Sequence, residues 1–115
     1  MKRFREVVAF KNHFQMFLMI QPVKIQNKIF KIIEAVETLE RLPTQYLKHI
    51  NNTKGLYEIR IQLGSNTWRV FCFFDKKRIV ILLNGFCKKT NKTPRNQINK
   101  ALSLMNEYKK IIADN

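Results

Sequence analysis

The chain has 115 residues, 45% of them hydrophobic, with only three Gly and three Pro, which suits one folded domain, residues 1–115, and excludes both a disordered chain and a pair of domains. Its formal charge of +14 makes the compact state repel itself, and such a surplus points to an anionic partner, nucleic acid first. The longest apolar stretch, Phe17-Leu18-Met19-Ile20, is far too short to span a bilayer, and the basic start lacks the long apolar segment of a signal peptide, so a cytoplasmic protein that does not engage membranes is expected.

Arg3 to Phe10 is rich in Val and Phe and alternates weakly, which predicts a strand. Asn12 is placed to cap a short helix carrying Phe14, Met16, Phe17 and Leu18, and Gln21-Pro22 breaks it. Pro22 suits the first turn of a second helix, in which Ile25, Ile29, Ile32, Ile33, Val36 and Leu39 recur at three- and four-residue steps. Leu42-Pro43 ends it, and Thr44 to Lys54 reads as a polar connector with room for a helical turn at Tyr46 and Leu47.

Three strands follow, Leu56 to Leu63, Thr67 to Phe74 and Arg78 to Asn84, joined by Gly64-Ser65-Asn66 and Asp75-Lys76-Lys77, which have hairpin length and turn chemistry. In the first, Tyr57, Ile59, Ile61 and Leu63 share one face and leave Glu58, Arg60 and Gln62 on the other. The second places Arg69 on the face of Phe71 and Phe73; the third is apolar on both faces, as a doubly covered strand is. Gly85 to Arg95 reads as a basic loop, and Thr93, followed by Pro94, as the cap of a last helix carrying Ile98, Ala101, Leu102, Met105, Tyr108 and Ile112. The fold class is therefore α+β: an N-terminal strand, a two-helix hairpin, an antiparallel three-strand meander and a C-terminal helix, with one sheet face covered by helices and the other partly open.

The charge is concentrated in the sheet half. From Arg41 to Asn106 thirteen bases face only Glu58 and Asp75, and from Lys76 to Asn106 eight bases face no acid. Arg69 is the one charge in a strand of Trp, Val, Phe and Cys, which requires pairing or a solvated cleft. A salt bridge to Glu58 that holds the hairpin would meet that need, and a phosphate gripped by the guanidinium would meet it too. Lys88, Lys89 and Lys92 leave the third strand beside the start of the last helix, whose free donors also favour anions.

No glycine-rich phosphate loop, nucleophile motif or carboxylate pair is present, and Cys72, Cys87, His13 and His49 have no metal-ligand spacing, so neither metal nor cofactor is expected. The two cysteines read as small buried hydrophobes. RNA cleavage survives these exclusions, because the substrate brings its own nucleophile, the 2′-hydroxyl, and the protein need only orient it, stabilise charge and move protons. Lys88 beside Lys89 is a pairing that could lower a lysine enough to carry a proton.

Gly55-Leu56-Tyr57-Glu58-Ile59-Arg60, Trp68-Arg69-Val70-Phe71, Ile81-Leu82-Leu83-Asn84-Gly85-Phe86 and Lys88-Lys89-Thr90-Asn91-Lys92-Thr93-Pro94 resemble the phage-derived Gp49-like, HigB-type toxins of the RelE/ParE superfamily. The resemblance spans nearly the whole chain. It implies the toxin of a type II toxin–antitoxin pair, an endoribonuclease that cuts mRNA on the translating ribosome and is neutralised by an antitoxin that often has a helix-turn-helix DNA-binding domain. By position, Arg60 and Arg69 would act at the scissile phosphate with Lys88 and Lys89, Lys54, Lys92 and Arg95 would bind RNA, and Glu58 would be a structural partner. Cys72 stands where the family often has Tyr, and Asn84 where it often has His.

Two other readings compete: a non-catalytic module that binds RNA or the ribosome, and a ParE-like toxin acting on a protein target such as a topoisomerase. A free monomer and a heterotetrameric complex are expected, with an acidic or extended partner segment covering the basic cluster.

Overall fold

The computed structural model describes residues 2–115. In chain order the elements are β1 (Glu6–Ala9), α1 (His13–Met19), α2 (Val23–Thr38), β2 (Leu47–His49), β3 (Tyr57–Leu63), β4 (Asn66–Asp75), β5 (Ile79–Lys88) and α3 (Arg95–Asp114). The strands form one sheet in the order β1-β5-β4-β3-β2. β2 to β5 make an antiparallel meander, β1 lies parallel to β5, and α1 and α2 carry the chain from β1 to β2 at the opposite edge of the sheet.

Alternation on β3 and β4 builds two cores. Ile59, Ile61, Trp68, Val70 and Cys72 pack against Ile25, Ile29, Ile32 and Val36 of α2, while Phe14 and Phe17 of α1 extend the same layer. On the other face Phe71, Phe73, Leu83 and Phe86 meet Ile98, Ala101, Leu104 and Met105 of α3. The structure has the α+β class and helix order the sequence predicts, but α1 and α2 cover one sheet face and α3 the other where one covered face was expected, and β2 makes the meander four strands instead of three. α3 covers the aromatic part of its face and leaves the Arg60 side chain 32% exposed beyond it.

Several local expectations are corrected. β1 is shorter than Arg3 to Phe10, because the Phe4 and Arg5 N–H groups turn from the sheet to the Glu37 carbonyl. The Arg5 guanidinium donates to the carbonyls of Val36, Leu39 and Glu40, so a cation satisfies the free end of α2. The connector makes the helical turn, with the Tyr46 and Leu47 N–H groups both donating to the Pro43 carbonyl, and then supplies an unforeseen strand, β2, whose Leu47 pairs with Ile59 and Lys48 with Glu58. Gly85, Phe86, Cys87 and Lys88 are strand, not loop, because β4 is long enough to pair with them as far as Thr67. Asn12 and Thr93 are not side-chain caps: Asn12 accepts at its backbone carbonyl, and α3 begins behind Pro94 with no side-chain cap bond. Cys72 is buried, as read, but Cys87 is exposed at the sheet margin.

Candidate phosphate-binding face of the sheet

Strand register brings the site together. Arg60 lies directly opposite Arg69 on β3 and β4, Glu58 opposite Lys48 on β3 and β2, and Thr67 opposite Lys88 on β4 and β5. Residues opposite each other in an antiparallel pair share a face, so four strands each place one cation around a single carboxylate. Two arginines opposite each other repel, and Glu58 relieves this: its Oε2 is 2.5 Å from Arg69 Nε and 3.6 Å from Arg60 Nε. Glu58 and Arg69 are each only 5% exposed.

The contacts leave cationic capacity unused. Arg69 Nη1 donates to the Trp68 carbonyl at 3.1 Å, and its Nε, though close to Glu58, is not aligned for a hydrogen bond. Its Nη2 donates to no protein group among the described residues. Arg60 reaches the Thr44 carbonyl only at 3.5 Å. Four cations against one carboxylate leave a surplus of positive charge beside a cavity of about 410 Å³, lined by Lys28, Gln45, Tyr46, Arg60, Gln62 and Arg69. Phe71 and Phe86, stacked at 5.6 Å, lie on the same sheet face and help to keep water from the cluster.

Burial and like charge act on Lys88. Loss of hydration, then the nearby Arg69, with Arg60 and Lys48 of the same sign, lowers its ammonium below the ordinary lysine value, while Glu58 opposes the change. Burial also lowers Arg69, with Glu58 restoring part of that shift, and a guanidinium remains a cation throughout.

Of the residues singled out from sequence, the fold thus gathers Arg60, Arg69, Lys88 and Glu58, and the Arg69–Glu58 pair exists. Lys89 and Lys92 are exposed beyond the end of β5, Arg95 is exposed at the first position of α3, and Lys54 is exposed in the β2–β3 loop. Lys48 was missed, since a three-residue strand shows no period. Its signal was only the short alternation at Tyr46 to Lys48. Neither position that departs from the family pattern lies in the cluster. Cys72 is in the α2 core, where burial pushes its thiol up, and Asn84 is tied by Nδ2 to Gln97 of α3 at 3.2 Å.

Among the described residues no group of three His, Cys, Asp or Glu could hold a metal ion, and no helix is long and apolar enough to cross a membrane.

The sheet and its three helices form a RelE-like fold. The model of the phage-derived Gp49-like proteins matches residues 16–106, and the chain belongs to that family. Among solved structures it is similar to the archaeal RelE–RelB complex from Pyrococcus horikoshii OT3, with 16% identity and a TM-score of 0.55 over 73% of this chain and 94% of that one. No curated protein matches the chain.

Proposed function

We propose that this chain is the toxin of a type II toxin–antitoxin pair and cleaves mRNA on the ribosome. The observation that carries the reading is the convergence of Lys48, Arg60, Arg69 and Lys88 from four strands around buried Glu58. In this scheme Arg60 and Arg69 hold the non-bridging oxygens of the scissile phosphate, with Glu58 fixing both guanidinium groups. The 2′-oxygen loses its proton and bonds to phosphorus, the bond to the 5′-oxygen breaks, and that oxygen takes up a proton. The products are a 2′,3′-cyclic phosphate and a 5′-hydroxyl. Lys88, lowered from its ordinary range, is suited to exchange a proton at one of these oxygens. No cofactor enters the scheme.

The similar RelE is held in a complex with RelB. The corresponding partner here is an antitoxin that covers the cationic face, with a helix-turn-helix domain of its own and with the cytoplasm as the site of action. Induction in cells tests the reading. Growth should stop and truncated mRNAs accumulate, and Arg60→Ala with Lys88→Met should abolish both. Normal growth with intact transcripts, the folded protein being present, would refute it. Filamentation with a DNA-damage response would point to a protein target instead.

A further inference from the structure

The β4–β5 hairpin turns on two lysines. Asp75 is paired with Ile79, and between them Lys76 and Lys77 both hold a positive φ, 55° and 66°, with the Arg78 N–H donating to the Lys76 carbonyl at 2.7 Å. A left-handed backbone crowds any β-carbon, so stability alone favours Gly or Asn at such positions. Both lysines are exposed and belong to neither core. Strain held at an exposed turn by two cations points to a use for their charge.

The turn gathers further cations. The Arg78 guanidinium donates through Nε to the Phe4 carbonyl at 3.1 Å and through Nη2 to the Arg3 carbonyl at 3.4 Å, which pins the start of the chain beside the hairpin. Arg3 and Arg5 thereby join Arg78 around a cavity of about 370 Å³, with Glu6 and Ile79 completing its lining. Five cations stand against Glu6, Glu37 and Asp75; Arg3 holds Glu37 at 2.7 Å, and Asp75 accepts from the Tyr108 hydroxyl at 2.7 Å. This end of β5 lies nine residues from Lys88, about 30 Å along an extended strand, so it is a second centre of positive charge and not a margin of the first.

We propose that the hairpin cluster, led by Lys76 and Lys77, is a second RNA-binding site that holds the phosphate backbone of a segment distinct from the one at Arg60 and Arg69. Its chemistry fits a backbone and not a protein surface. A protein interface is anchored by buried aromatic and apolar side chains, and among the described residues no large exposed apolar side chain lies in 2–6 or 75–79. Cations on flexible stems match phosphates, which position a nucleic acid without reading its sequence. The inference rests on the proposed function only for the kind of nucleic acid, RNA. Two sites about 30 Å apart let a folded RNA be gripped by its backbone while a strand of it enters the cleft beside Glu58.

The test compares the full chain with Lys76→Asn/Lys77→Gly, which relieves the backbone, and with Lys76→Arg/Lys77→Arg, which keeps the charge. The probes are an RNA hairpin of about 16 base pairs with a single-stranded tail and a tetranucleotide too short to reach from one cluster to the other, both 2′-O-methylated so that neither is cut. Lys76→Asn/Lys77→Gly should raise the thermal midpoint, weaken hairpin binding by about tenfold or more at about 50 mM salt, and flatten its logarithmic salt slope by about 1.4, the share of two released counter-ions. Tetranucleotide binding should not change, and Lys76→Arg/Lys77→Arg should bind the hairpin as the wild type does. Unchanged hairpin affinity and slope would overturn the inference, as would a lowered midpoint, which would make the lysines structural. Equal losses for both probes would overturn it in favour of one continuous site, and loss of binding to polyglutamate with the hairpin unaffected would transfer the cluster to an acidic protein. Growth arrest and mRNA cleavage are scored separately on the wild-type chain, so a failure of the toxin reading shows there and not in these affinities.

Discussion

Arg69 and Glu58 are buried together at 2.5 Å, so removing either strands the other. Arg69→Ala should cost about 3–5 kcal/mol of stability in guanidinium unfolding, the range for breaking one side of a buried pair. Replacing both by apolar residues, Arg69→Met with Glu58→Leu, should recover most of that loss and still abolish RNA binding, which separates the structural role of the pair from its proposed role toward phosphate. Lys88 makes a different prediction. Its folded-state value lies below the ordinary 10.5, so between the two values the unfolded chain binds more protons and stability rises with pH. Lys88→Met should remove that rise in urea unfolding measured from neutral pH upward. It should also lower the cleavage rate by about 10²–10⁴-fold, as loss of a proton-carrying group does, with a smaller change in RNA affinity. At this scale the sequence was informative where a charge interrupts an apolar strand. Arg69 stood out for that reason, whereas Lys48, in a polar connector, resembled any solvated lysine until pairing set it opposite Glu58.

The elements were legible in proportion to their length and period. α2 and α3 carry four and five turns of apolar spacing, and β3 alternates cleanly, so all three were readable. β2 has three residues, and β5 passes through Gly85 into a basic segment that looks like a loop; only their partners β3 and β4 make them strands. The ends of elements were misplaced for a related reason. Asn12 and Thr93 have the chemistry of caps, yet the α2 terminus is satisfied from a distance by Arg5, which local sequence cannot reveal. Arg5→Ala should therefore destabilise the protein by about 1 kcal/mol, a typical loss for uncapping a helix end, as read by thermal unfolding. Gly85→Ala should cost more, about 1–3 kcal/mol, because its Cβ would meet the buried Phe17 ring, and overpacking there must move α1 or bend β5.

For the whole molecule, a charge of +14 held largely by the sheet half makes counter-ion release the dominant contribution to the proposed RNA binding. Affinity for single-stranded RNA should fall linearly in logarithmic salt, and neutralising one phosphate-contacting cation, Lys48→Ala for example, should flatten the slope by about 0.7. An unchanged slope would place Lys48 outside the contact. That the sheet half carries a basic face was readable from the distribution of charge. Which lysines form it was not, because Lys89 and Lys92 follow Lys88 in the chain but leave the sheet plane where β5 stops. The central claim is that strand-borne cations around Glu58 cut RNA at its own 2′-hydroxyl. Its most direct test incubates the purified protein with ribosomes translating a defined mRNA and determines the chemistry of the new ends. Fragments ending in 2′,3′-cyclic phosphate and beginning in 5′-hydroxyl, lost with Arg60→Ala, are the predicted result. Intact mRNA, or ends carrying a 5′-phosphate, would contradict it.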